Sequence, residues 1–321
     1  MSKEEKSFDE ILDSLFEQEP FPVPMLFKLT DLTAENLQLF HQRWPEVEND
    51  RRRVLVRHLV DISEEDFSVD FEPVFIHCLQ DASSLVRVAA LDGLWDSENT
   101  QIISTILDIL THDEDQSVRA AAAAALAHYV VLIEWEQLPE KYFLDIVDGL
   151  LAAYDSPESS LPLKRAALES LGAATHERVS ELISDAYGHE DRGLQLSAVF
   201  AMGNSANERW LPTVMDEMES PFMEMRAEAA RAAGSIGKST AVPSLINLIA
   251  DEETDVAITA VQALGQIGGD NARQALEQLI DDPDFEPLQE TIEDALEEII
   301  WLTQMIDMMD EFEIPDDPSL N

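Results

Sequence analysis

Apolar and polar positions along the chain follow one repeating pattern. Its clearest stretch runs from Arg226 to Gly269, RAEAARAAGSIGKSTAVPSLINLIADEETDVAITAVQALGQIGG. A helix of small residues ends in Gly-x-Ile-Gly, a second helix opens on a proline, and an acidic turn leads into the next helix of small residues. Gly234 and Gly265 lie 31 residues apart, as do Pro212 and Pro243. A fixed period of roughly 20–50 residues predicts a solenoid of stacked helix pairs.

One position serves as a ruler for the whole array: Arg87, Arg119, Lys164, Gln195, Arg226, Ala257 and Gln289, spaced 32, 45, 31, 31, 31 and 32 residues apart. Three residues later stand Ala90, Ala122, Ala167, Ala198, Ala229, Ala260 and Ile292, and seven later Leu94, Leu126, Leu171, Met202, Ala233, Leu264 and Leu296. One residue before it stand Val86, Val118, Leu163, Leu194, Met225, Val256 and Leu288. These offsets share one face of a helix. Each unit reads as two helices that bury their stripes only by stacking on the neighbouring units. The alanine column lets successive second helices approach closely. Gly172, Gly203, Gly234 and Gly265 are expected to supply left-handed C-terminal caps, and Asp81, Asp113, Ser220 and Asp251 to act as turn residues or N-caps. The ruler arginine is placed to bond turn carboxylates or carbonyls next door. A fainter first copy fits around Val54, with Asn49 in its turn and His58 and Ile62 on its buried face.

The runs DEDQSVRAAAAAAL, AVPSLINLIADEETDVAITAVQALGQIG and MRAEAARAAGSIG resemble HEAT repeats of the short bacterial type, which is also found in phycobilisome lyase subunits. The resemblance covers about Phe71 to Ile299. It implies an all-α fold, a right-handed α-α superhelix with N- and C-terminal capping helices. It is nearly silent on function, because this repeat serves many unrelated tasks.

Around the repeats, three regions are expected: 1–45 as an amphipathic helix, Pro-rich linker and capping helix; 46–287 as about seven units with an insertion near 128–145; and 288–321 as a capping helix and acidic tail. Ser7 to Gln18 is amphipathic, with Phe8, Ile11, Leu12, Leu15 and Phe16 on one face. It either covers the open end of the solenoid or serves as a detachable docking helix. Pro20, Pro22 and Pro24 are expected to force an extended linker, followed by a helix from Asp31 or Thr33 to Trp44. Arg51, Arg52, Arg53 and Arg57 form the chain's basic cluster, expected to pair internally with Glu46, Glu48 or Asp61. The insertion places Trp135, Tyr142 and Phe143 either as contact residues or as packing between lengthened helices. A last helix, roughly Leu288 to Met309, replaces the small residues with Glu293, Asp294, Glu297 and Glu298. The tail from Asp307 has six acids and no base, interleaved with Met308, Met309, Phe312 and Ile314; it is either solvated disorder or an acidic-aromatic linear motif.

Charge narrows the function. With 20 Lys and Arg against 66 Asp and Glu, the formal net charge is −46. Phosphate binding needs clustered bases, so nucleic acid and anionic membrane surfaces are excluded as partners. The acidity serves either solubility or steering towards a basic partner. The one cysteine, Cys78, lies in the apolar run FEPVFIHCL and reads as a buried small hydrophobe. The N-terminus lacks an apolar signal segment, and no run of about 18 apolar residues is seen. The expectation is a cytoplasmic chain.

No catalytic constellation stands out. The deoxyhypusine hydroxylases carry paired His-Glu motifs just after the ruler arginine, but His176-Glu177 and His189-Glu190 fall elsewhere. There is no Gly-rich phosphate loop, Cys-pair zinc pattern or nucleophile elbow. No cofactor is expected and the chain is read as a non-enzyme. What remains is surface. Offsets +1 and +5 from the ruler point away from the core, and this ridge carries Val88, Arg165, Leu196, Phe200, Arg231 and Ile258. With Asp92 and Glu169 on the same ridge its charges balance, and apolar residues on it mark either a contact surface or positions buried by curvature. In particular, Phe200 is expected to be an exposed anchor beside Leu196, flanked by Arg165 and Arg231. The reading is a HEAT-repeat scaffold gripping a protein or peptide, possibly basic, on its concave face. The alternative is a maturation factor resembling phycobilin lyase subunits and binding a tetrapyrrole or chromoprotein.

Overall fold

The computed structural model describes residues 6–280 and 282–312, with side chains described to 305. The side chains of the acidic tail, and the choice between its two readings, lie outside them. Among the described residues every regular element is a helix. The chain forms two compact units, Met1–Leu171 and Gly172–Asn321.

The first unit begins with α1, Phe8–Glu17. Its start is set by a capping box: the Ser7 Oγ accepts from the Glu10 N–H at 3.3 Å, and the Glu10 carboxylate accepts from the Ser7 N–H at 2.8 Å. Ile11, Leu12, Leu15 and Phe16 are buried. Phe16 meets Phe40 and Trp44 edge-on, both at 6.1 Å between ring centres. Phe40 lies on α2, Ala34–Arg43, which Thr33 caps. Arg43 bonds Asp9 at 2.5 Å and Asp13 at 2.7 Å, so α1 is docked by rings on one side and ion pairs on the other. The proline stretch is not extended throughout. Val23–Leu29 forms a 3-10 helix that buries Leu26 and Leu29. Proline's fixed φ suits such a turn, and residues three apart eclipse on it, so these two leucines share its inner side.

Helix α3, Asn49–Glu65, buries Leu55, Val56, Leu59 and Val60. The expected register of the faint copy was therefore rotated: Val54 is exposed, and His58 and Ile62 are only half-buried. Two adjacent pairs spaced four apart define the stripe, and Val54 and His58 fall outside it. The arginine partners also differ from expectation. Arg51 donates to the Leu15 and Gln18 carbonyls and to Glu19, and lies 4.3 Å over the Phe21 ring. Arg52 reaches Asp81 at 3.5 Å, Arg57 bonds Asp92 at 2.9 Å, and Arg53 stands 3.8 Å from Asp50. Each residue along a helix turns by about 100°, so neighbouring arginines meet different elements.

The remaining helices of this unit are α4 (Glu72–Cys78), α5 (Ser84–Asp92), α6 (Ile103–His112), α7 (Gln116–Glu134), α8 (Phe143–Asp155) and α9 (Leu161–Leu171). Of these, α5, α7 and α9 are second helices, and α7 packs between the other two. By length and composition α7 is apolar enough to cross a membrane, but half of it is buried inside the fold. Arg87 does what its ruler position suggests, and twice over. Its Nε and Nη2 bond both oxygens of Asp113 in the next turn, each at 2.8 Å, and its Nη1 bonds the Asp81 carbonyl of its own turn at 2.8 Å. Such bidentate pairs fix geometry as well as adding energy. Arg119 instead bonds the Leu110 carbonyl at 2.7 Å. In the insertion, Trp135 is 69% exposed and Tyr142 and Phe143 are half-buried, so the tryptophan does not pack the lengthened helices together.

The second unit contains α10 (Val179–Tyr187), α11 (Arg192–Asn204), α12 (Leu211–Glu217), α13 (Met223–Ile236), α14 (Val242–Leu248), α15 (Thr254–Ile267), α16 (Gly269–Leu279) and α17 (Gln289–Phe312). The second helices α11, α13, α15 and α17 stack in sequence. The glycine column proves to be the seam of that stack rather than a set of caps. A Cβ on Gly203 would lie 2.7 Å from the Ala232 Cα, one on Gly234 3.0 Å from the Ala263 Cα, and one on Gly265 3.0 Å from the Ala295 Cβ. On Gly172 it would lie 2.9 Å from the Ala201 Cα. The helix-ending glycines with positive φ are the later ones: Gly237 is a left-handed cap at φ 70°, and Gly268 has φ 67° with ψ −159°. Arg226 repeats the Arg87 arrangement, bonding both Asp251 oxygens at 2.7 and 2.8 Å and the Ser220 carbonyl at 3.0 Å. On α17 the glycine position is taken by Glu297, which is exposed. A carboxylate there does not offer the close approach that Gly172, Gly203, Gly234 and Gly265 make.

Two expected outcomes follow. Gly203→Ala should destabilise by about 1–3 kcal/mol, because its Cβ meets backbone that has nowhere to go. Gly188→Ala, whose Cβ would have contacts no closer than 3.6 Å, should be near neutral. Urea denaturation of both variants checks this, and equal midpoints would show that the seam tolerates a methyl group. The second concerns His77 on α4, stacked on His41 at 3.9 Å between ring centres. Burial, and then the His41 charge, push its pKa down to about 4 from an ordinary 6.5. The folded state holds His77 neutral, so its contribution is whole above pH 6.5 and is lost as pH falls from there towards 4. In thermal melts of His77→Phe and wild type, the variant's relative stability should rise between pH 7 and 5; parallel curves would refute the assignment.

Candidate functional site

The candidate site is built from the outward rows of the second helices. A stacked second helix buries the −1, +3 and +7 positions and their neighbours, which leaves +1 and +5 facing out. Val88, Arg165, Leu196, Phe200, Arg231 and Ile258 are all half-buried, accessible along one edge but not standing free. Ala124 and Gln262, on the same rows, are exposed.

The two units divide these residues. Val88 and Arg165 belong to the first unit; Leu196, Phe200, Arg231 and Ile258 belong to the second. In the second unit, α11 contributes Leu196 and Phe200, α13 Arg231 and α15 Ile258. The expectation of an exposed Phe200 is corrected by its neighbour: the Arg231 guanidinium lies 4.3 Å over the ring. That stack is held in place. The Arg231 Nη2 donates to the Phe200 carbonyl at 3.1 Å, and its Nε donates to Glu228 at 2.7 Å, one turn back on α13. Weak bonds at 3.4 Å reach Asn204 and Ser235. Arg231 is thus a lid on the aromatic ring and carries a carboxylate of its own. Arg165 lies 3.9 Å from Glu169 on its own helix in the first unit. Phe200 is therefore not shown between two arginines; it is shown beneath one.

The first unit presents a different surface. Beside Val88 stand Leu85, 51% exposed, and Val54, 38% exposed. Sequence reasoning missed both. Leu85 sits two residues before the ruler, on the same face as Val88 and Asp92. Extending the ridge by one turn shows that this unit alone carries a leucine there, where the others have Ser117, Pro162, Gly193, Glu224 and Asp255.

Titratable chemistry does not converge. No cluster of three or more His, Cys, Asp or Glu side chains arranged for a metal ion occurs among the described residues. Cys78 is buried, and that burial raises its thiol pKa. His41 leaves its Nε2 buried without a hydrogen-bond partner beside His77, a packed ring pair rather than an acid-base pair.

Helix pairs that stack on their neighbours within each unit, with every regular element among the described residues a helix, define a helical-repeat fold. The family model for HEAT repeats matches residues 72–130 and 211–297, and these stretches are HEAT repeats. Among solved structures, the chain is similar to the YibA protein of Escherichia coli at 15% identity, covering 88% of this chain and 98% of that one with a TM-score of 0.47. It is similar to human deoxyhypusine hydroxylase in complex with glycerol at 20% identity, over 92% and 96% of the two chains, with a TM-score of 0.37. A third likeness is to Kap95p, solved with RanGDP, at 14% identity over 90% of this chain and 42% of that one, with a TM-score of 0.42. No curated protein matches the sequence.

Because Phe200 is covered by Arg231, truncating it removes packing as well as surface. Phe200→Ala should lower stability by about 1–2 kcal/mol, from a cation–π contact of about 0.5–1 kcal/mol and partial loss of buried ring area. Chemical denaturation measures this. An unchanged midpoint would mean the stack contributes nothing in solution.

Proposed function

We propose that this chain is a non-enzymatic HEAT-repeat scaffold that binds a protein or peptide on the outward rows of its second helices. The proposed division is residues 1–45 as the N-terminal cap, 46–287 as the repeats and 288–321 as the C-terminal cap and tail. The observation that carries the reading is the row Leu196, Phe200, Arg231 and Ile258. Three large apolar residues share an accessible edge with one arginine, where the matching positions on α7 are Ala120 and Ala124. Buried aromatic and arginine anchors are the groups that dominate binding energy at such surfaces. A net charge of −46 favours a basic partner by long-range steering. That attraction fades beyond about 8 Å at physiological salt, so the apolar row supplies the specificity.

The test is affinity capture with mass spectrometry, comparing wild type with the double variant Leu196→Lys/Ile258→Lys at low and high salt. Both side chains are half-buried, so the lysine stems can lie along the surface and the melting temperature should move little. The expected result is one specific partner on wild type, weakened by salt and at least tenfold by the double variant, as loss of a central anchor predicts. Equal recovery on both proteins, or no partner on wild type, would sink the reading.

A further inference from the structure

In the first unit, α3 and α5 enclose a groove of about 380 Å³ lined by Arg53, Val54, Arg57, His58, Leu85 and Val88. Its floor is apolar and largely uncovered, with Leu85 51% and Val54 38% exposed. Its rim is basic. No carboxylate lines it, although the chain carries 66 acids against 20 lysines and arginines. A six-residue lining with two arginines and no acid runs against that composition. From the same arginine cluster, Arg51 and Arg52 are turned inward, with side chains 10% and 14% exposed, whereas Arg53 and Arg57 remain 49% and 47% exposed. Arg57 gives one donor to Asp92 at 2.9 Å. Arg53 stands 3.8 Å from Asp50, beyond hydrogen-bonding distance. A guanidinium has five donors in a fork suited to carboxylates, so both retain capacity for an incoming acid.

We infer that this groove is a docking site for an acidic segment of a partner protein that bears large apolar side chains, the apolar groups resting on Val54, Leu85 and Val88 and the carboxylates meeting Arg53 and Arg57. The volume suits on the order of two such side chains, given that a cavity of about 150 Å³ holds a benzene ring. The chain's overall negative charge does not forbid this. Screening limits the general repulsion to a range of about 8 Å, while an arginine–carboxylate contact acts at about 3 Å. The site is distinct from the Leu196–Phe200 row and opposite to it in the charge of its partner.

The probe is a fluorescent synthetic peptide with the sequence of residues 307–321, which has six acids, no base and interleaved Met308, Met309, Phe312 and Ile314. Titrated with the full chain and followed by anisotropy, it should bind in the micromolar range and release as salt rises. Arg53→Glu/Arg57→Glu should weaken binding at least tenfold, since the charge pairing is reversed. Arg53→Lys/Arg57→Lys should keep most of it, and Leu85→Ala should weaken it several-fold, with unchanged circular dichroism and melting temperature as the control for folding. Leu196→Lys/Ile258→Lys should leave peptide binding intact, so failure of the scaffold surface in the second unit is told apart from failure here. Absence of binding to wild type, equal binding of a peptide with every acid replaced by lysine, or indifference to the Arg53/Arg57 reversal would overturn the proposal.

Discussion

Contact between successive second helices, close enough that no side chain fits between, is the constraint from which the rest of the second unit follows. Gly172, Gly203, Gly234 and Gly265 each face the backbone or methyl of an alanine on the next helix, and an added methyl group at any of them would fall at 3.0 Å or less. Interiors packed at this density lose contact energy for every fraction of an ångström of separation. The seam therefore fixes the rotation of each second helix, and that rotation decides which residues are left outside. Leu196, Phe200, Arg231 and Ile258 stay accessible because the −1, +3 and +7 positions take the core face, and the row lies beside the seam: a Cβ on Gly203 would come within 3.2 Å of the Arg231 Nη2. On α17 the same position carries Glu297, which is exposed.

The first unit meets the same demand by other means. Ser170, nearly fully buried, donates to the Ala123 carbonyl at 2.9 Å, so α7 and α9 are tied by a hydrogen bond across an alanine-rich contact. Between α3 and α5 the side chains of Val54, Leu85 and Val88 line an open groove.

Charge adds a second layer. In a chain so rich in acids, most arginines are committed to holding structure. Arg43 ties α1 to α2, Arg51 and Arg52 anchor α3 to its surroundings, and Arg87 and Arg226 bridge consecutive turns with bidentate bonds to Asp113 and Asp251. The pairs are nearly buried, and the Arg226 hydrogen bonds hold the Asp251 carboxyl below its ordinary pKa. Arginines that stay accessible, such as Arg53 and Arg57, thereby stand out against the background of acids.

The sequence by itself determined the period, the helix pairs and the identity of the inward face, because burial at −1, +3 and +7 follows from the 3.6-residue turn alone. Ser7, Thr33 and the ruler arginines were legible for the same reason: their partners are local, or recur one period away. The tertiary structure decided everything set by lateral neighbours. It turned the glycines from caps into a seam, rotated the faint first copy so that Val54 faces out, sent Arg51, Arg52 and Arg57 to partners other than those nearest in sequence, and laid Arg231 over Phe200. Each of these depends on which atoms of a helix some 30 residues away arrive within 3–4 Å, a distance that helical periodicity does not encode.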